Sequence, residues 1–347
     1  MLCRTGTGTK NIVKAGTMRN TAQIKRFNMN RIRSIFRSGG SYTKQNIAEA
    51  VGLSIATCSN FLNELEAAGE IAGQKQQTLE VGRATMVYEL NADYHLIACI
   101  AVKADRNAQT VQCRIKNLLS RTVWEEEALL EQPDYEQIEA FITALLERCP
   151  GIHCISLSIP GTVERGVIRQ CDIKSLIGEP LVEKLERNTG LPVYAACDMH
   201  LSIYGYYKKE CEEHQSVSML HFPEGVLPGA GSLVCGCPIE GANHFAGMIA
   251  YLPYGISLEE QLKKCRKKEY IGLAAQAAAS VIALINPDLI LLTGDLVEPE
   301  DISCLYGACL EWVPEENIPE LIHVEAPESY LYEGLYMRGL EKLMEGE

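Results

Sequence analysis

The chain has 347 residues, 47% of them hydrophobic, and a formal net charge of −13. That apolar content is enough to bury a sizeable core in two or three domains, which excludes a wholly disordered chain. No run of about 18 apolar residues occurs, so no membrane-spanning helix is predicted.

The charge is unevenly placed. Residues 1–90 carry twelve Lys/Arg against six Asp/Glu, a net of +6, and the remainder carries 20 against 39, a net of −19. A basic end on an acidic chain is the electrostatic pattern that attraction to phosphate requires. The fourteen cysteines are scattered and follow no N-terminal apolar leader. They are expected to be free thiols in a reducing cytoplasm. Cys235 and Cys237 form the one close pair, a weak metal signal without a second pair nearby.

In chain order, residues 1–20 are rich in Thr, Gly, Lys and Asn without a period and read as a flexible basic tail. Asn28 to Ser38 reads as a first helix, with Met29, Ile32, Ile35 and Phe36 inward and Arg31, Arg33 and Arg37 outward, either holding phosphates or forming a solvated face. In Thr43 to Leu65, two amphipathic segments meet at Gly52, with apolar Ile47, Ala48, Val51, Leu53, Cys58, Phe61, Leu62 and Leu65 at helical spacing. Thr43 and Ser54 stand where the two helices need N-caps. This is the pattern of a helix-turn-helix; a helical hairpin in an unrelated bundle is the alternative. If the second helix reads DNA, its outward Ile55, Thr57, Ser59, Asn60 and Asn63 meet base edges in a major groove.

Beyond the stop at Ala67-Ala68-Gly69, Glu70 to Ala72 and Met86 to Leu90 predict two short strands around a turn, a wing. Gly82 and Arg83 lie on its far side, where an arginine can contact the backbone or a minor groove. Residues 21–91 are therefore expected to be a winged helix-turn-helix. From Tyr94 onward apolar strand candidates (His95 to Val102, Ala108 to Ile115, Ile152 to Ile159, Pro192 to Ala196, Leu289 to Leu292) alternate with helices (Tyr135 to Arg148, Pro180 to Thr189, Leu262 to Ile285, Leu331 to Met344). Such alternation predicts an α/β domain over residues 92–347.

Four stretches carry a resemblance: SLSIPGTVERGVI (Ser156 to Ile168), GEPLVEKLERNTGLPVYAACD (Gly178 to Asp198), GAGSLVCGCPIEGANHFAG (Gly229 to Gly247) and INPDLILLTGD (Ile285 to Asp295). In this order they resemble landmarks of the ROK family of sugar-responsive repressors and sugar kinases. The resemblance implies a two-lobed, actin-like and ribonuclease H-like fold, preceded in the repressor branch by a winged helix. It covers nearly the whole chain after the tail.

Departures from the family pattern bear on activity. Where the kinases have a D-x-G-G-T-type phosphate loop, Val102 to Ala108 (VKADRNA) has no glycine to let the backbone approach a triphosphate. The second phosphate loop reads Gly225-Val226-Leu227-Pro228-Gly229-Ala230-Gly231, with a threonine and a glycine gone and a proline added. The final G-G has become Thr293-Gly294-Asp295. The family's general base is matched by Asp198, but Cys197 replaces the preceding asparagine. Ala246-Gly247-Met248-Ile249-Ala250-Tyr251 lacks the family's sugar-binding glutamate and zinc-binding histidine, and Cys265 stands alone where three zinc cysteines belong.

The expectation is a cytoplasmic DNA-binding transcriptional regulator of sugar-related genes, a repressor and homodimer, without kinase activity, ATP or zinc. Double-stranded DNA would be held by Arg37, Thr43, Lys44, Ser54, Ile55, Thr57, Ser59, Asn60, Asn63 and Arg83. A sugar or sugar-derived effector would sit between the lobes at Pro160, Gly161, Cys197, Asp198, His244 and Met248, with His200 in the same cleft, and act by closing the lobes. Two rivals are an active sugar kinase with a DNA-binding appendage and a DNA-binding scaffold without a ligand.

Overall fold

The computed structural model describes residues 21–76, 85–104, 108–131, 133–210 and 214–346. The chain divides into two compact units between Leu90 and Asn91. The tail expected over residues 1–20 and the wing tip with Gly82 and Arg83 lie outside the described residues.

The first unit comprises α1 (Thr21–Arg37), β1 (Ser41–Thr43), α2 (Lys44–Val51), α3 (Ile55–Ala68), β2 (Ile71–Gln76) and β3 (Thr85–Leu90). The strands form an antiparallel sheet in the order β1-β3-β2. Local chemistry sets the helix ends. The Thr43 hydroxyl accepts the Asn46 N–H at 3.1 Å and the Asn46 side chain accepts the Thr43 N–H at 3.1 Å, a reciprocal cap on α2. Gly52 ends that helix at φ 62, a left-handed turn that glycine adopts without strain. Ser54 then accepts the Thr57 N–H at 3.1 Å and starts α3. Ile32, Phe36, Ile47, Val51, Cys58 and Leu62 converge in the core of the unit.

Two expectations for this unit need correction. Helix α1 begins at Thr21, seven residues before Asn28; Ile24 and Phe27 in its added turns are each 47% exposed, so they leave no buried stripe to signal it. Arg33 is not outward and solvated. Its guanidinium grips the buried Glu70 at the end of the α3 turn, because a carboxylate taken out of water demands a partner.

The second unit contains two five-stranded sheets of matching topology. In the first lobe β4 (Leu96–Ala104), β5 (Gln109–Asn117) and β6 (Thr122–Leu129) make a meander, followed by α4 (Tyr135–Arg148), β7 (Ile152–Ile159), the hairpin β8 (Gly161–Glu164) and β9 (Val167–Cys171), α5 (Leu181–Thr189) and β10 (Val193–Cys197). Strands β7 and β10 add in parallel, giving the order β10-β7-β4-β5-β6.

Helix α6 (Asp198–Glu210) leads to the second lobe: β11 (Ser216–His221), β12 (Gly229–Val234), β13 (Cys237–Pro238), α7 (Leu258–Lys264), α8 (Ile271–Ile285), β14 (Leu289–Thr293), α9 (Asp301–Cys309) and β15 (Glu320–His323). Its sheet runs β13-β12-β11-β14-β15, again a meander extended by two parallel strands. Ile100, Leu157, Ile159 and Val193 anchor the first core, and Leu220, Ala274, Ile290 and Leu292 the second.

The chain ends in α10 (Glu328–Gly346), which crosses back over α6. Gly205 and Gly334 permit that crossing: a Cβ on Gly205 would stand 1.9 Å from the Tyr330 carbonyl oxygen, and one on Gly334 2.0 Å from that of Leu201. The single helix expected from Leu262 to Ile285 is two helices, α7 and α8. The chain breaks over 265–270, with Lys268 at φ 70, so that Cys265 and Tyr270 turn inward and the Tyr270 hydroxyl donates to Asp301 at 2.7 Å. Among the described residues no helix is long and apolar enough to cross a membrane.

Candidate functional site

On the first unit, α3 presents Ile55, Thr57, Asn60 and Asn63 to solvent, Ile55 at 55% exposure. Among the described residues nothing covers this isoleucine at the start of the helix. Ser59 is half-buried and accepts a hydrogen bond from Lys44 Nζ at 2.8 Å, while that ammonium also lies over the Tyr88 ring. Lys44 is thus steered along the α2–α3 groove. Thr43 and Ser54 have their hydroxyls engaged in caps, the latter also with Thr57 Oγ1 at 2.8 Å. Arg37 is half-buried, its Nε donating to the Arg33 carbonyl at 3.4 Å.

In the second unit Pro160 and Gly161 follow the end of β7, and Cys197 and Asp198 join β10 to α6. One Asp198 carboxylate oxygen accepts the Met199 N–H at 2.7 Å and the Cys197 thiol at 3.3 Å. Burial, reinforced by the neighbouring Asp172 carboxylate, pushes Asp198 up to about 6, above the usual carboxylate range. Asp172 is itself raised by burial, and sequence reasoning missed it because it lies 26 positions away in a β-hairpin exit.

His200 is buried and its Nε2 lies 2.9 Å from the Ala246 carbonyl oxygen, which selects the tautomer with a proton on Nε2; burial holds its pKa below the ordinary value. That contact ties α6 to the loop bearing Met248. The Ala230 N–H donates to Gly247 O at 2.8 Å and holds the same loop on β12. His244 has a different partner: its Nδ1 lies 3.2 Å from the Glu240 carboxylate, and it lines a groove with Tyr194 and Arg338 that Pro160, Gly161, Asp198 and Met248 do not line. Among the described residues no three His, Cys, Asp or Glu side chains gather as a metal ligand set.

Residues 95–266 match the ROK family. The chain carries a ROK family domain. A protein of Caldicellulosiruptor sp. (strain Rt8B.4), provisionally named a xylose repressor, is 25% identical over 247 residues, 68% of this chain and 60% of that protein. The match thus spans less than two thirds of that relative's length. Among solved structures, a ROK family transcriptional regulator, a homologue of the E. coli MLC protein, aligns with a TM-score of 0.65 at 18% identity over 93% of this chain and 100% of that one. The ROK hexokinase from Thermus thermophilus aligns with a TM-score of 0.53 at 16% identity over 71% of this chain and 99% of that one. Both structural likenesses are likenesses of fold.

Within this ROK domain, the segment that resembles the second phosphate loop commits its Gly225 and Ala230 amides to the protein itself. The Gly225 N–H donates to Cys265 O at 3.0 Å and the Glu224 N–H to the Asp295 carboxylate at 3.4 Å. Asp295 is exposed and places a negative charge beside that loop.

Proposed function

We propose that this chain is a DNA-binding transcriptional regulator, a repressor of sugar-related genes, whose ROK domain senses a ligand and does not phosphorylate it. Residues 21–91 act as a winged helix-turn-helix and residues 92–347 as the sensor, in a cytoplasmic homodimer that engages two half-sites. The observation that carries the reading is the α2–α3 pair, capped at Thr43 and Ser54 and turned at Gly52, with Ile55, Thr57, Asn60 and Asn63 left exposed on the second helix. The repressor name of the Caldicellulosiruptor relative and the net charge of +6 over residues 1–90 support it.

The absence of kinase activity rests on the glycine-free Val102 to Ala108, on Pro228, and on the Gly225 and Ala230 amides, both already donated to carbonyls of the protein. Backbone N–H groups committed to carbonyls do not cradle phosphate oxygens.

Fluorescence anisotropy on a duplex from upstream of the gene, against a scrambled duplex at two salt concentrations, tests the reading. Preference for the native duplex of about tenfold or more is expected, with affinity falling as salt rises. No binding to any duplex at low salt, including those from a genome-wide selection, overturns it.

One observation favours a second reading, an active sugar kinase: Asp198 retains a carboxylate raised to about 6, suited to accept a proton from a hydroxyl. Incubation with Mg-ATP and a panel of hexoses and amino sugars separates the two. Phosphoryl transfer that Asp198→Asn abolishes would establish the kinase.

A further inference from the structure

The edge strand β10 forms the floor of a groove of about 410 Å³, a volume suited to a small molecule. One wall is the turn of the β8–β9 hairpin with Arg165, and α10 contributes Arg338. The opposite wall belongs to the other lobe: Glu240 and His244, in the segment after β13. Val163, Val182 and Val193 supply an apolar surface between them.

Arg338, Glu240 and His244 are held in place before any ligand arrives. Arg338 stacks over the Tyr204 ring at 4.0 Å and its Nη1 donates to Glu341 at 2.9 Å, so its guanidinium plane is fixed. Glu240 and His244 hold each other at 3.2 Å. Arg165 is exposed, sits at φ 50 in its turn, and has no carboxylate partner among the described residues. The Tyr194 hydroxyl makes no hydrogen bond to another described residue, although Arg338, Glu240 and Glu341 are all close enough to act on it electrostatically. A tyrosine hydroxyl that enters an apolar-floored groove without a partner is a group waiting for one.

Glu341 is engaged by Arg338, whereas no carboxylate among the described residues pairs with Arg165, which leaves its guanidinium as an unpaired cation beside donors and acceptors suited to hydroxyls. We propose that this groove binds a monosaccharide carrying one acidic group, a carboxylate or a phosphate. Arg165 and Arg338 hold the anion, Glu240, His244 and Tyr194 take hydroxyls, and the three valines face the C–H side of the ring. The site deepens the effector part of the proposed function and rests on that part alone. A ligand there spans both lobes, and His200, which lies beside Glu240, His244 and Arg338, joins the groove to the Asp198 helix and to the Ala246 carbonyl.

Calorimetric titration of the full chain with D-glucuronate, glucose 6-phosphate, glucose and xylose tests the proposal without DNA, so failure of the regulator reading leaves it untouched. At least one acidic sugar is expected to saturate the protein about tenfold or more tightly than glucose and xylose, and the tighter of the two acids identifies carboxylate or phosphate as the anion. Arg165→Gln and Tyr194→Phe should each weaken that ligand about tenfold, the loss expected for one charge-assisted or buried hydrogen bond. Arg165 is exposed in a turn, so its variant tests the site without disturbing a core. Equal affinity for neutral sugars, no saturable binding of either acid, or wild-type affinity in both variants overturns the proposal.

Discussion

Arg33 and Glu70 close a two-pronged ion pair, Nε to Oε1 at 2.8 Å and Nη2 to Oε2 at 2.9 Å, that links the middle of α1 to the turn after α3. Glu70 is 4% exposed, so removing the guanidinium leaves a carboxylate without compensation out of water. Arg33→Ala is expected to destabilise the first unit by about 3 kcal/mol or more. Urea unfolding with hydrogen exchange of the α1 amides measures it. A loss under about 1 kcal/mol would return Arg33 to the surface.

Under the proposed function, the exposed asparagines on α3 and Arg83 act on different quantities. Asn60→Ala and Asn63→Ala should each remove about 1–3 kcal/mol of discrimination between operator and scrambled duplex. Arg83→Ala should instead weaken both duplexes alike and reduce the salt slope by about one. Anisotropy titrations across a salt series distinguish the two patterns, and an Arg83→Ala protein with an unchanged slope would remove that residue from the interface.

Asp198 penalises its own ionisation. Its folded pKa of about 6 lies above the ordinary carboxylate value of 3.8, so the native state binds the proton more tightly than the unfolded chain. The resulting stabilisation is full below about pH 4 and is lost as pH rises through about 6. Asp198→Asn cannot ionise and should gain on the wild type over this window, by up to roughly 3 kcal/mol at neutral pH relative to acid. Denaturation midpoints at pH 4 and pH 7 give the difference, and a gap that does not change with pH would contradict the enclosed carboxylate.

Gly205 and Gly334 leave no room for a methyl group where α6 crosses α10. Each alanine substitution must push helices apart against backbone carbonyls, which cannot rotate away as a flexible side chain would. A loss of about 2–3 kcal/mol is expected for either, and less than the sum for both, since one displacement relieves both clashes. Thermal unfolding of the two single variants and the double variant provides the comparison.

Local chemistry in the chain was enough to place the elements that local rules govern. Thr43, Gly52 and Ser54 bound their helices through hydrogen bonds reaching only three or four residues, and the apolar runs Ile152 to Ile159 and Leu289 to Leu292 announce buried strands by composition, their parallel pairing being set by the fold. The motifs around Asp198 and Gly229 to Gly247 carried the ROK resemblance for the same reason, being contiguous. What required the folded chain was every relation across long separations. Arg33 reads as a surface residue until Glu70, 37 positions on, is buried beside it. Asp172 reads as an ordinary loop aspartate until the β8–β9 hairpin brings it to Asp198. Arg165, Tyr194, Glu240 and Arg338 share no period or motif, because a groove between two lobes gathers side chains from five distant segments, and only packing decides which of them meet.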